Sequence, residues 1–454
     1  MMAMRLADAA DALHARYSGA DVEFTGVSTD TRTLVAENLF FALSGPRFDG
    51  HDHLAEARLR GAAGAIVSRA VVTDLPFLRV ADTRLALGQL ARSWRSRFSL
   101  PVVGITGSNG KTTVKEMISS ILAQRGAVLS TKGNLNNDIG VPLTLARLGE
   151  EYQSAVIEMG ANHLGEIAYL SALVRPTVGI VTNAGPAHLE GFGSLEGVAQ
   201  GKGELFATLE ANATAVINAD DRFAGLWRGL AQGRPQLSFG LDASADVQAT
   251  YKAQAHGAQM QLQTPQGGVE LLLPLPGRHN VLNAAGAAAA ALAAGADLAA
   301  IKVGLENLGA VSGRLQCKTR ADGGVVFDDT YNANPSSLRA AIDVLRELPG
   351  ESYLVLGDMG ELGSDAAQLH AEMGAYARES GIAGLFTLGP LSAQAGRSFG
   401  IQAQTFSEFD ALVTALRSQL RPEVAVLVKG SRSAGMERVV KALLAQESGA
   451  RPAC

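Results

Sequence analysis

The sequence predicts an α/β protein of three domains, and three observations carry that prediction. Short β-branched runs alternate with segments of helical period, 454 residues exceed what one hydrophobic core usually serves, and 51 glycines supply tight turns between strands and helices. The runs PVVGIT (101–106), AVIEMG (155–160), VGIVTN (178–183) and AVINAD (215–220) read as strands of one parallel sheet, and GVVFDD, YLVLGD and AVLVKG as strands of another. After the first run, Val114, Met117, Ile118, Ile121 and Leu122 recur at helical spacing and mark a helix with one core face. Residues 245–276 differ: VQATYKAQ, AQMQLQTP and VELLLPL predict antiparallel strands added to the sheet edge. The alanine-rich stretch from Ala284 to Ala300 predicts a closely packed buried helix, because alanine is the best helix former. Near the end, Met436, Val439, Val440, Leu443 and Leu444 share one helical face. Breaks near 98–100 and 311–313 give domains at 1–98, 99–312 and 313–454, the first less regular than the others.

Composition narrows the function classes. Apolar residues make up 47%, charged residues 18%, and the formal net charge is -5, a profile that offers nothing to a nucleic-acid polyanion. No apolar run reaches the ~18 residues of a membrane span, and MMAMRLADAADAL has an acid where a signal peptide needs an apolar core, so a cytosolic location is expected. Two cysteines, Cys317 and Cys454, provide neither a disulfide framework nor a CxxC metal knuckle.

The chemistry begins at GITGSNGKTTVKEM, Gly104 to Met117. A strand that feeds a glycine-rich turn into a helix presents backbone N–H groups and the positive end of the helix dipole, which together favour a phosphate. Gly107, Ser108, Asn109 and Gly110 form the loop, Lys111 would reach the outer phosphates, and Thr112, followed by Thr113, would ligate Mg²⁺. The strict P-loop pattern places a glycine six residues before the lysine, where this chain has Ile105.

A triphosphate site needs an acid for its metal, and Glu158 ends the strand AVIEMG at the carboxyl edge of the sheet. A capped strand end is the other reading. His188, in NAGPAHLEGFGS, follows the next strand and falls on the same edge, although a lone histidine is more often structural. Lys202, in AQGKGELF, is flanked by glycines that allow close backbone approach; a surface lysine is the default reading. Asp328 and Asp329 end another strand and lead through Tyr331 and Asn332 into Asn334-Pro335, an N-cap followed by proline at the first helical position. Capping accounts for Asn334 and Pro335 but not for two adjacent acids before the turn.

Taken in order, TGSNGKTT, GNLNNDIGVPLTLARL, EMGANHLGEI, NAGPAHLEGFGSLEGVAQGKGEL, PGRHNVLNAAGA, DDTYNANPSSLRAAI, LGDMGELG and KGSRSAGMERVV resemble a Mur ligase over nearly the whole chain. Ile105 in the loop is a variant that the resemblance accommodates. Within the family the set is most similar to the member that appends D-alanyl-D-alanine to UDP-N-acetylmuramoyl-tripeptide. The resemblance implies a central P-loop domain with a β extension, a Rossmann-like C-terminal domain and a small α/β N-terminal domain that binds the UDP-linked substrate. It implies a cytoplasmic bacterial monomer in peptidoglycan precursor synthesis that uses ATP and two Mg²⁺ to activate a carboxylate as an acyl phosphate.

Residue by residue, the resemblance implies that Thr112 and Glu158 hold one metal, His188 helps hold a second, and Lys202 becomes a carbamate that acts as a metal ligand. Asn280 in GRHN and Arg314 in SGRL then contact the nucleotide, and Asp328 and Asp329 close over it from the third domain. Ser28, Thr29, Asp30 and Arg32 of STDTR match the UDP-binding segment, with a plain capping turn as the alternative, and Asn134, Asn137 and Asn332 become substrate or phosphate neighbours. Two other ligases share the loop logic, the Mur ligase that adds the third amino acid and folylpolyglutamate synthase, but the DNPR-type turn of the former is missing. From another class, a P-loop phosphotransferase or nucleotide-switched binding protein would need Lys111 alone and would leave His188, Lys202 and the third domain unexplained.

Overall fold

The computed structural model of the chain describes residues 1–254, 257–309 and 311–445. It is a mixed α/β protein whose three main sheets draw their strands from residues 16–79, 102–273 and 316–429. Residues 255 and 256 of the expected β extension, and the chain beyond 445 with Cys454, lie outside the described residues. Cys317 is exposed and free.

The first sheet runs in the order Arg16–Ser18, Phe77–Arg79, Gly64–Val67, Leu39–Phe41, Val27–Ser28. Its four inner pairings include only one antiparallel partner, Arg16–Ser18, at the edge. The second sheet has nine strands, ordered Val128–Ser130, Ser154–Glu158, Val102–Thr106, Val178–Val181, Thr214–Asn218, Gln236–Gly240, Val247–Gln254, Gly257–Thr264, Gly267–Leu273. The first seven are parallel, and Val102–Thr106, Ser154–Glu158 and Val178–Val181 are buried throughout, because helices cover both faces. Val247–Gln254 extends the parallel set, and only after it does the chain turn back antiparallel. The third sheet runs Gln316–Thr319, Val325–Asp329, Ala425–Lys429, Ser352–Gly357, Gly384–Leu388, Ala403–Phe406, parallel apart from its first pair.

The helix Lys111–Leu122 buries Val114, Met117, Ile118, Ile121 and Leu122, the face its period predicts. The alanine-rich stretch is not one helix. It forms Arg278–Ala293 and Leu298–Glu306, because Gly295 takes a left-handed φ of 92° and Asp297 caps a new helix by accepting from Ala300 N at 2.8 Å. The first of these helices packs on Lys111–Leu122 and on the sheet, and its small side chains let the backbones approach. At the end of the chain Met436, Val439, Val440 and Leu443 are buried as the helical face predicts.

The first sheet is joined to the second by a buried clamp. The helix Thr83–Arg95 ends in Trp94, whose Nε1 donates to Leu148 O at 2.9 Å, and Arg95, which is 5% exposed. Arg95 donates from Nε to Val174 O at 3.0 Å, from Nη1 to Phe98 O at 2.6 Å and from Nη2 to Arg175 O at 3.2 Å. The Val174 and Arg175 carbonyls lie at the end of the helix Glu166–Val174, where a cation also meets the negative end of the helix dipole. Burial pushes the Arg95 pKa down, and these acceptors make the buried charge tolerable. Arg95→Met, which fills the space but leaves three carbonyls without donors, should lower unfolding stability by about 2–3 kcal/mol. Chemical denaturation is the check, with Trp94→Phe, which loses one hydrogen bond, expected to cost about 1 kcal/mol.

Candidate active site

The loop after Val102–Thr106 turns into the helix at Gly110, which caps the helix with a φ of 80°. A side chain there is excluded twice over: the conformation is left-handed, and Asn283 Oδ1 would lie 2.5 Å from a Cβ. At Gly107 the Thr182 hydroxyl occupies the corresponding space, 1.9 Å away. The next strand end holds the loop from behind, with Ser108 N donating to Asn183 O and Asn109 N to Asn183 Oδ1, both at 3.0 Å. Lys111 Nζ folds back to donate to Gly107 O at 2.7 Å and Ser108 O at 3.3 Å. Burial lowers its pKa, Glu158 opposes that shift and Arg314 adds to it.

Glu158 is buried at the end of its strand, and parallel pairing sets it opposite Ile105. Its Oε2 accepts from Thr112 Oγ1 at 3.0 Å and its Oε1 from Asn136 Nδ2 at 2.9 Å. Thr113 is buried in the helix behind. Asn136 escaped the sequence reading although Asn134 and Asn137 on either side were singled out. Asn134 borders the cavity, and Asn137 also caps the following helix by accepting from Gly140 N at 2.9 Å.

His188 follows Val178–Val181 in a left-handed conformation, φ 55°. Its Nδ1 lies 2.6 Å from Oε2 of Glu361, a residue of the third part of the chain that is itself left-handed at φ 59°. Burial lowers the His188 pKa, and the Glu361 carboxylate works against that shift. Glu361 was also missed; it lies inside LGDMGELG, a stretch quoted only for its resemblance.

Lys202 is not a surface lysine. On the helix Leu195–Thr208 it is 1% exposed, its Nζ donates to Ala161 O at 2.9 Å, and it stands 4.8 Å from the Phe192 ring centroid. It forms no ion pair with a described carboxylate, and burial, reinforced by the Lys111 charge, brings its pKa down to about 7.

The third sheet delivers Arg314, Tyr331, Asn332 and Asn334 to the same place. Arg314 stacks 4.1 Å from the Tyr331 ring, its Nη2 lies 3.4 Å from Thr112 Oγ1, and its Nε is buried without a partner among the described residues. Asn109 bridges the two parts, donating to Ser336 Oγ and accepting from Asn334 Nδ2, each at 2.8 Å. Ser108 to Lys111, Asn136, Glu158, His188, Glu361, Arg314, Tyr331, Asn332 and Asn334 border one cavity of about 770 Å³, which Asp82, Arg84 and Leu85 of the first part, Asp138 and Tyr169 also line, whereas Thr112 and Lys202 are not among its lining residues.

Other residues singled out in the sequence do not border this cavity. Asp328 accepts from Lys318 Nζ and Thr330 Oγ1 at 2.6 Å, and Asp329 accepts from Lys429 Nζ at 2.5 Å and Leu315 N at 3.0 Å. With their carboxylates so engaged, the two acids brace the turn that presents Tyr331 and Asn332. Asn280 is buried and donates to Pro276 O at 2.8 Å, behind the Asn283 that touches Gly110. Ser28, Thr29, Asp30 and Arg32 form a separate turn in which Ser28 Oγ donates to Asp30 O at 3.0 Å and Arg32 Nη2 to Asp30 Oδ2 at 2.6 Å. Asp30 also caps the short turn by accepting from Arg32 N at 2.9 Å.

The chain matches the Mur ligase family catalytic domain over residues 23–95, the Mur ligase middle domain over 105–291 and the Mur ligase glutamate ligase domain over 313–432. It is 47% identical to the UDP-N-acetylmuramoyl-tripeptide--D-alanyl-D-alanine ligase of Escherichia coli, across 99% of this chain and 100% of that one. Identity to the Haemophilus influenzae protein of the same name is 42%, across 98% and 99%. Among solved structures, a MurF crystal structure from Acinetobacter baumannii superposes with a TM-score of 0.93 at 37% identity, covering 98% of this chain and 99% of that one. A Thermotoga maritima MurF ligase in complex with ADP superposes at 0.82 with 28% identity, covering 92% and 97%. The chain belongs to the Mur ligase family.

Proposed function

We propose that the chain joins D-alanyl-D-alanine to UDP-N-acetylmuramoyl-tripeptide at the expense of ATP, giving the pentapeptide, ADP and phosphate for peptidoglycan synthesis. The observation that carries this reading is one cavity bordered by a phosphate loop, by the glutamate paired with Thr112, and by residues of all three parts of the chain, in a chain related along its whole length to ligases of that name. The same reading has it work as a monomer in the bacterial cytosol, with domain limits near 98 and 312. Among the described residues no helix is long and apolar enough to cross a membrane.

A carboxylate is a poor acyl donor, since its leaving group would be oxide. Transfer of the γ-phosphoryl group to it makes an acyl phosphate, after which the dipeptide amine attacks the carbonyl, the bond to phosphate oxygen breaks and phosphate leaves. Two anions must first approach, so the protein's work is positioning and charge neutralisation. The loop N–H groups and Lys111 receive the phosphates, and Arg314, whose Nε has no partner among the described residues, adds a third-domain cation to them. Asn109, Asn334 and Ser336 hold that domain against the loop, which keeps water from the acyl phosphate.

The donor set fits Mg²⁺. A hydroxyl and a carboxylate 3.0 Å apart, where the described residues form no cluster of three His, Cys, Asp or Glu, suit an ion that takes its other oxygens from phosphate and water. Thr112 and Glu158 would hold one ion, His188 and a Lys202 carbamate a second; when bound, Mg²⁺ supplies charge neutralisation between the phosphates and the carboxylate. Lys202 suits that modification, because burial brings its pKa down to about 7, which leaves a substantial neutral fraction near neutral pH, and the neutral form adds CO₂.

The function is tested by phosphate release from MgATP with UDP-N-acetylmuramoyl-tripeptide and, separately, D-alanyl-D-alanine, D-alanine, L-lysine, diaminopimelate or L-glutamate, with the product mass measured. Ligation that requires D-alanyl-D-alanine is expected; hydrolysis indifferent to both substrates would overturn the ligase reading. Lys111→Ala should reduce kcat by roughly 10²–10³-fold while the protein stays folded by circular dichroism, and near-normal turnover would remove its phosphate role. Lys202→Ala should be inactive and partly rescued by added formate or acetate. The wild-type protein stripped of CO₂ should regain activity with bicarbonate at pH 8 far better than at pH 6, where the amine is protonated. A recovery that does not depend on pH, together with no rescue, would dismiss the carbamate.

A further inference from the structure

We propose that Arg432 is the residue that binds the free carboxylate of the incoming dipeptide. The inference rests on the proposed ligase reaction and adds to it the site of the second substrate. D-Alanyl-D-alanine arrives with an amine that reacts and a carboxylate that does not, and that carboxylate needs a cation near the reacting centre but away from the phosphates.

Five cationic or potentially cationic side chains border the cavity: Arg84, Lys111, His188, Arg314 and Arg432. Four are already engaged. Arg84 is bonded to Asp138 on the wall nearest the first sheet, with Nη2 2.7 Å from Oδ1. Lys111 belongs to the phosphate loop, Arg314 points at Thr112 beside it, and His188 is paired with Glu361. Arg432 differs from all of them. Its side chain is 72% exposed, its ion pair with Glu437 is stretched to 3.9 Å, and its guanidinium makes no hydrogen bond to a described residue.

Its position suits the task. Arg432 follows the strand Ala425–Lys429, and the neighbouring Ser431 N donates to Asp358 O at 2.9 Å, which fixes the Arg432 turn against the loop that carries Gly360 and Glu361. Glu361, whose carboxylate meets His188, lines the same cavity as Arg432, so the third part of the chain presents the guanidinium to the cavity that His188 also borders. A two-residue peptide spans at most about 7 Å when extended, so its two ends reach neighbouring parts of one cavity. The guanidinium fork can grip a carboxylate with two parallel N–H donors, which a point charge cannot do.

The test compares D-alanyl-D-alanine with D-alanyl-D-alaninamide, which keeps the reacting amine and loses the anionic end, on wild-type protein, Arg432→Ala and Arg432→Lys. Wild-type kcat/KM should favour the acid by on the order of 10- to 100-fold, chiefly through KM for the dipeptide. Arg432→Ala should use acid and amide within about threefold of each other, and Arg432→Lys should recover part of the preference. Misfolding would depress both substrates alike and leave the ratio intact, so the ratio reports the contact itself. An Arg432→Ala protein that keeps the wild-type preference, or a wild-type protein with none, would overturn the assignment while ligation of the dipeptide still upheld the reaction. A wild-type protein that ligates neither substrate, with phosphate released on another amine, would instead remove the reaction and this site together.

Discussion

The register between two parallel strands governs the whole site. Val102–Thr106 and Ser154–Glu158 pair so that Ile105 faces Glu158, and both strands therefore end at the same level of the sheet. From that level one continues into the phosphate loop and the other presents its carboxylate, which brings Thr112 Oγ1 within 3.0 Å of Glu158 Oε2. A slip of one residue would turn the carboxylate to the opposite face of the sheet. The register is secure because both faces of these strands are buried among apolar side chains, so the apolar core that stabilises the sheet also sets the distance between phosphate and acid.

The two flanking parts meet this edge by different physics. The first is joined through Arg95 and Trp94, whose donors satisfy buried carbonyls at the end of a central helix, and separating them would strand those groups. The third touches the loop through Asn109 with Asn334 and Ser336, Arg314 with Thr112, and His188 with Glu361. These contacts are polar and border a cavity, so water can replace each partner at small cost. The first part is thus a fixed wall and the third a removable one, which suits a site that must admit a nucleotide and a large substrate and then exclude water.

Much of this was legible in the sequence, for identifiable reasons. Strands buried on both faces leave unbroken apolar runs, and the phosphate loop leaves glycines that backbone conformation demands, as at Gly110. Alanine, by contrast, fits a helix so readily that its run hid the break at Gly295 between two helices. The site was less legible where a residue's role comes from a neighbour distant in sequence. Glu361 gains its meaning from His188, 173 positions earlier by their numbers, and Asn136 from Glu158, and no local pattern announces either contact. Asp328 and Asp329 show the converse. Two adjacent acids beside a nucleotide site suggest ligands, yet Lys318 and Lys429, on neighbouring strands, engage both and make them braces for the turn.

The cations nearest the phosphate loop are held against their own desolvation. Lys202 is buried and Lys111 half-buried, each is pushed toward its neutral form by desolvation, and Lys111 and Arg314 respectively add to the push. His188 is shifted down by burial and by the same two lysines. Glu158, the acid nearest the loop, already accepts from Thr112 and Asn136. These cations beside the loop are therefore held at an electrostatic cost that neutral residues would not incur. That cost is useful because the phosphates of the nucleotide and the carboxylate of the acceptor would offset it. Their binding relieves an electrostatic penalty built into the fold, and the cations that incur it are preorganised where negative charge develops during transfer, with no rearrangement of solvent needed.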